Sequence, residues 1–156
     1  MRRAKKEIQD MAIIDNLLNT CSVGRLGTMG KDGYPRIKPL NFVYRNGKIY
    51  FHSAKEGEKI DDIIRDGRVV FEIDEPMGYV KSDTNPCSAK YLYRSVIIKG
   101  RAAIVNDDEE RLLALRSLLE KYQPEGGYGE FLPEKLKITA VVCIDIEEIT
   151  GKEDVG

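Results

Sequence analysis

Residues 21–54, CSVGRLGTMGKDGYPRIKPLNFVYRNGKIYFHSA, decide how the rest of the chain is read. Two turn signals divide the stretch, Gly30-Lys31-Asp32-Gly33 and Arg45-Asn46-Gly47-Lys48. Asn-Gly in the centre of a short loop favours a tight hairpin turn. Three strands joined by hairpins are therefore expected here, and a hairpin can only join antiparallel neighbours.

The pattern continues on both sides. Ile8, Met11, Ile14 (or Ile13), Leu17 and Leu18 fall at helical spacing, which predicts a helix over 5–20. Residues 56–66 predict a second, with Ile60, Ile63 and Ile64 on one face and Gly67 as its stop. RVVFEID is a short strand, and EPMGYVKSDTNPCSAK (75–90) reads as a long loop. A long strand spans 91–105, with Gly100 marking a bend or bulge. NDDEERLLALRSLLEKY is an amphipathic helix with Leu112, Leu115, Leu119 and Tyr122 as its stripe. The last strand covers 138–149. Six or seven strands with two or three peripheral helices give a mainly β fold, an antiparallel barrel. A parallel doubly wound sheet would need helices between most of its strands.

The 156 residues fit one domain, 1–156. With 25 basic and 26 acidic residues, bulk charge gives no reason to expect nucleic acid or a membrane surface as partner. Cys21, Cys87 and Cys143 are scattered, and with one histidine they offer no metal set and no disulfide framework. A reducing, cytoplasmic location is expected. The basic start is interrupted by Glu7, Asp10 and Asp15, so neither a signal peptide nor a membrane span is expected.

Three stretches could carry chemistry. In IYFHSAKEGEKIDDI, Ser53 and Glu56 form a capping-box pattern, placing a helix start near Ala54 or Lys55. Its free N–H groups with Lys59 would make an anion site, or simply a capped surface helix with a solvated lysine. In PRIKPLNF, Arg36, Lys38 and Leu40 share one face of a strand and Ile37 and Asn41 the other. Pro39 marks an edge strand, open to a ligand or merely protected against pairing. In YLYRSVIIKG, Arg94 and Ser95 precede an apolar run, either as contacts or as a strand start. Hydrolase, Walker, zincin and Rossmann motifs are missing, so any chemistry would come from a bound cofactor.

In this order and with these gaps, PRIKPLNF, GKIYFHSAKEGEKIDDI, RVVFEI and YRSVIIKGRA resemble the pyridoxamine 5′-phosphate oxidase-like FMN-binding split barrels, most of all the nitroimidazole-resistance (Nim-type) flavoproteins. The resemblance implies a six-stranded split barrel that dimerises with FMN at the interface. By position it assigns Arg36, Ile37, Lys38, Pro39, Leu40 and Asn41 to the flavin ring and phosphate. It assigns His52 and Ser53, with Ala54 after them, to FMN contacts and Lys59 to the phosphate. Ser95 would reach the flavin from the other subunit. Leu40 and Phe42 would give the ring an apolar face. His52 would lie beside the flavin as the catalytic group, orienting the ring or donating a proton.

The implied activity is a reductase passing electrons from NADH or NADPH to a small acceptor. The alternatives are a non-catalytic flavin or haem protein, with His52 on the haem iron, or a reductase using the deazaflavin F420. Two departures from the oxidases stand out. Glu58 takes the place of a phosphate-binding arginine, and tryptophan is absent. With no counterpart expected of the oxidases' C-terminal segment, oxidation of pyridoxamine phosphate is not the expected reaction.

Overall fold

Both turns of residues 21–54 form as their chemistry requires, in a computed structural model that describes residues 4–156. Gly30 N–H donates to Tyr34 O at 2.8 Å and Gly33 N–H to Gly30 O at 3.0 Å. This folds strand β2 (Pro35–Leu40) antiparallel onto β1 (Gly24–Met29). Asn46 (φ 53°) and Gly47 (φ 72°) close β3 (Val43–Arg45) onto β4 (Lys48–Ala54). The stretch thus holds four strands rather than three. The break falls at Asn41-Phe42, where the Phe42 ring turns fully into the core against Phe71. The Tyr122 hydroxyl pins the kink, accepting from Phe42 N–H at 3.0 Å and donating to Ser22 O at 2.7 Å.

Three long strands complete the sheet: β5 (Arg68–Val80), β6 (Lys90–Ile104) and β7 (Thr139–Asp154). The order is β2-β1-β5-β6-β7-β4-β3, antiparallel throughout. One core takes side chains from strands across this order, among them Leu26, Phe51, Phe71, Ile98 and Val142. A sheet whose strands share one interior face in this way must curl around it. The edge strands β2 and β3 do not pair with each other, so the barrel stays split. Gly100 stands opposite the extra residue Glu147, where the β6–β7 register shifts. A Cβ on Gly100 would lie 2.3 Å from Asp145 O, so only glycine fits there.

Several elements differ from the sequence expectations. The N-terminal helix α1 is Met11–Thr20 rather than 5–20, because the Asp10 side chain caps Ala12 N–H at 2.9 Å. Ile8 is buried ahead of it, its N–H bonded to Gly151 O at 3.0 Å. Of the expected loop 75–90, residues 81–89 are the loop of the β5–β6 hairpin, while 75–80 and Lys90 belong to its strands. A bulge at Pro76–Gly78 absorbs the proline and glycine without ending the ribbon. Helix α3 (Asp108–Tyr122) buries Ala114, Leu115, Ser117 and Leu118, a face rotated from the expected stripe. A short helix α4 (Pro133–Ile138) precedes β7.

Helix α2 (Glu58–Arg65) packs Ile60 and Ile63 into the core, while Ile64 points outward. Asp62 occupies the buried face as well, and is only 1% exposed. It accepts from Thr28 Oγ1 at 2.8 Å, Arg65 at 2.8 Å and Arg36 at 3.2 Å. These bonds tie α2 to both β1 and β2.

Candidate functional site: a cleft at the split

Between β2, the end of β4 and the start of α2 lies a cleft of about 250 Å³. Lys38 enters it from β2, Ser53 from β4, and the segment Glu56–Ile60 forms its third wall. The strand periodicity brings them there. Arg36, Lys38 and Leu40 are half-buried while Pro35, Ile37 and Pro39 are exposed, so the basic residues face the split. On β4, Ile49 and Phe51 point into the core, and Ser53 continues the same face at the strand end.

The capping box expected at Ser53 and Glu56 does not form. Ser53 is still strand, paired with Ala140, and the helix begins five residues later at Glu58, with Gly57 at its cap position. Gly57 has φ 127°, a conformation closed to other residues at ordinary cost, and no side chain caps the helix. The first N–H groups of α2 therefore open toward the cleft with no side-chain acceptor, the arrangement that holds anions.

Lys59 is the second element of that arrangement. Burial, then the neighbouring Lys38 charge, hold its ammonium below the usual lysine range. Its Nζ lies 5.5 Å from the centroid of the Phe51 ring. No ion pair to Lys59 occurs among the described residues. Lys38 and Arg36 are differently placed: the Glu58 carboxylate takes Lys38 at 2.7 Å and Arg36 at 2.9 Å. Arg36, also bonded to Asp62, is committed to carboxylates of its own chain.

The remaining candidates separate. Ile37 and Pro39 lie on the outward face of β2, Ile37 being 69% exposed. From the Gly30–Tyr34 pair, ladder alternation turns the Arg36, Lys38 and Leu40 backbone toward β1 and the Ile37 backbone outward. Pro39 thus meets the open edge, where its missing N–H costs nothing. Leu40 packs against the core, and Phe42, buried within it, offers no surface to a ring. Asn41 donates to Ser22 O at 3.0 Å. His52 and Ala54 are exposed on the face of β4 opposite to Ser53. Ser95 stands on the outward face of β6 opposite Asp74, and does not line this chain's cleft. Asp62 and Gly57 were not singled out from sequence. An acidic residue on the apolar side of α2 was the available signal for the first, and a glycine directly before Glu58 for the second.

A larger hollow of about 450 Å³ lies between β3 and the last turn of α3. Its lysine, Lys121, is pushed down to about 8 by burial. That ammonium lies 3.7 Å from the Phe42 ring centroid and donates to Leu18 O at 3.3 Å. It caps the end of α1 rather than facing a ligand. The cleft at the split is the stronger candidate for an anion.

A family model described as Pyridoxamine 5′-phosphate oxidase matches residues 10–153. Among solved structures, a candidate 5-nitroimidazole antibiotic resistance protein from Bacteroides thetaiotaomicron VPI-5482 is 24% identical, with a TM-score of 0.81 over 94% of this chain and 86% of that one. A flavocytochrome from Azotobacter vinelandii is 19% identical, with a TM-score of 0.88 over 100% of this chain and 72% of that one. An FAD binding protein from Mycobacterium smegmatis is 26% identical, with a TM-score of 0.63 over 95% and 98% of the two chains. No curated protein matches. No helix among the described residues is long and apolar enough to cross a membrane.

Proposed function

The chain belongs to the pyridoxamine 5′-phosphate oxidase family, and on that premise we propose that it is an FMN-dependent oxidoreductase of the Nim type. It would act in the cytoplasm as a homodimer and reduce a small acceptor with electrons from NADH or NADPH. The observation that carries this reading is the cleft at the split. There the uncapped start of α2, Lys38, Ser53 and an ammonium with no carboxylate partner converge. A phosphate monoester needs that combination of oriented N–H donors and full positive charge.

The residues fit the cofactor in three respects. Lys59, Lys38, Ser53 and the α2 amides would hold the phosphate. Ile37 and Pro39, exposed on β2, offer apolar surface for a ring, and the free Ile37 backbone offers hydrogen bonds at the same edge. The His52 side chain, on the opposite face of β4 from Ser53, makes no hydrogen bond among the described residues, which leaves its imidazole available to give or take a proton. Ser95, turned outward on β6, would serve the partner's flavin. Bound flavin would supply the two-electron chemistry that no side chain here provides.

Protein loaded with FMN should oxidise NADH or NADPH when a quinone or nitroaromatic acceptor is present. His52→Ala should lower that turnover about tenfold or more while FMN stays bound. Equal losses of turnover and of FMN affinity would make His52 a structural contact. A wild-type protein that holds FMN but shows no turnover with any acceptor would favour a second reading, a flavin or haem carrier. The likeness to a flavocytochrome supports that reading, with His52 on the iron.

A further inference from the structure

Glu58 lines the cleft beside Lys38 and Lys59 and takes one of its two lysines in an ion pair. It is the first residue of α2, where a carboxylate is favoured by the helix dipole just as an anionic ligand would be. One of its oxygens lies 2.9 Å from Arg36 and the other 2.7 Å from Lys38. Within the cleft the charges balance, with Lys38 and Lys59 against Glu56 and Glu58. A dianion entering this space meets Lys38, one of the two cations that Glu58 already engages.

The two cations would respond differently to its departure. Arg36 keeps a second partner in the buried Asp62, so its position does not depend on Glu58. Lys38 has no other ion pair among the described residues and would become free for a ligand. The Glu58 side chain is 45% exposed, so its carboxylate can swing into water at small cost.

We propose that Glu58 is an internal competitor for the phosphate group, which a phosphate monoester must displace from Lys38. It sets how strongly the cleft prefers a phosphorylated flavin to an unphosphorylated one. The proposal rests on the cleft being the phosphate site. Under it, the carboxylate weakens cofactor grip, so the holoprotein binds a charged cofactor less tightly than its two cleft lysines would allow.

The test compares wild type and Glu58→Gln in equilibrium titrations of FMN and riboflavin, read by quenching of flavin fluorescence. Glutamine keeps the side-chain length and removes the charge. Loss of one negative charge beside a bound dianion should tighten FMN binding on the order of tenfold, and leave riboflavin affinity unchanged. High salt should shrink the gain. FMN affinity that is unchanged or weaker in Glu58→Gln overturns the proposal, because Glu58 would then be neutral or a support for Arg36 and Lys38. Equal affinity of wild type for FMN and riboflavin would instead remove the phosphate reading itself, and the proposal with it.

Discussion

Lys59→Ala should lower FMN affinity about ten- to a hundredfold, the equivalent of one charge-assisted contact of roughly 1.5–3 kcal/mol. The size follows from the surroundings of Lys59. Its ammonium is half-buried beside Phe51, is held below the usual lysine range by burial and by Lys38, and has no carboxylate partner among the described residues. A phosphate would relieve that cost, whereas a solvated surface lysine would have none to relieve. Riboflavin has no phosphate and should bind wild type and variant alike. FMN affinity that survives the substitution would mean that Lys59 faces water and that the cleft does not grip a phosphate.

The second large effect is on stability. Asp62→Ala should cost about 2–4 kcal/mol, read as a lower denaturation midpoint at unchanged slope. Asp62 is 1% exposed and joins Thr28, Arg36 and Arg65, so its loss strips α2 of its polar anchor to β1 and β2. Burial alone would raise its carboxyl. The hydrogen bonds from Arg65 and Thr28 and the Arg36 charge outweigh that, and the group titrates below the ordinary carboxylate range. A carboxyl lower in the folded chain contributes stability that is present above its unfolded value. That stability is lost as pH falls through the folded value. Wild type should therefore lose part of its advantage over Asp62→Ala on acidification. An unchanged midpoint would show that the α2 anchor is apolar, resting on Ile60 and Ile63.

What could be read from sequence divides along a physical line. Turns written in their own residues, such as Gly30–Gly33 and Asn46-Gly47, formed where expected, because their preference is local. Gly100 marked its bulge because a close backbone approach demands a residue without a side chain. Patterns that two structures satisfy equally were misread. Ser53 and Glu56 fit a capping box, yet Ser53 is claimed by its ladder partner Ala140, eighty-odd residues away. Pro76 and Gly78 suggested a loop, yet a two-stranded ribbon accommodates them as a bulge.

The site was legible in part for the same reason. Lys38 could be nominated from one segment and Ser53 and Lys59 from another, and the curl of the sheet brings the two to one cleft. Which way each side chain faces depends on register. That is why Phe42 turned out to be core, Arg36 an anchor for Asp62, and His52 a neighbour of Ser53 on the opposite side of the strand. Glu58 stood out only as a charge in the wrong place. Its two ion pairs give that charge a role.

The most direct measurement is the visible absorbance of the purified protein, with mass identification of the molecule released on denaturation. An FMN protein would show paired flavin bands in the blue and near ultraviolet, and release FMN. A Soret band, or a colourless protein that fails to take up added FMN, would contradict the account.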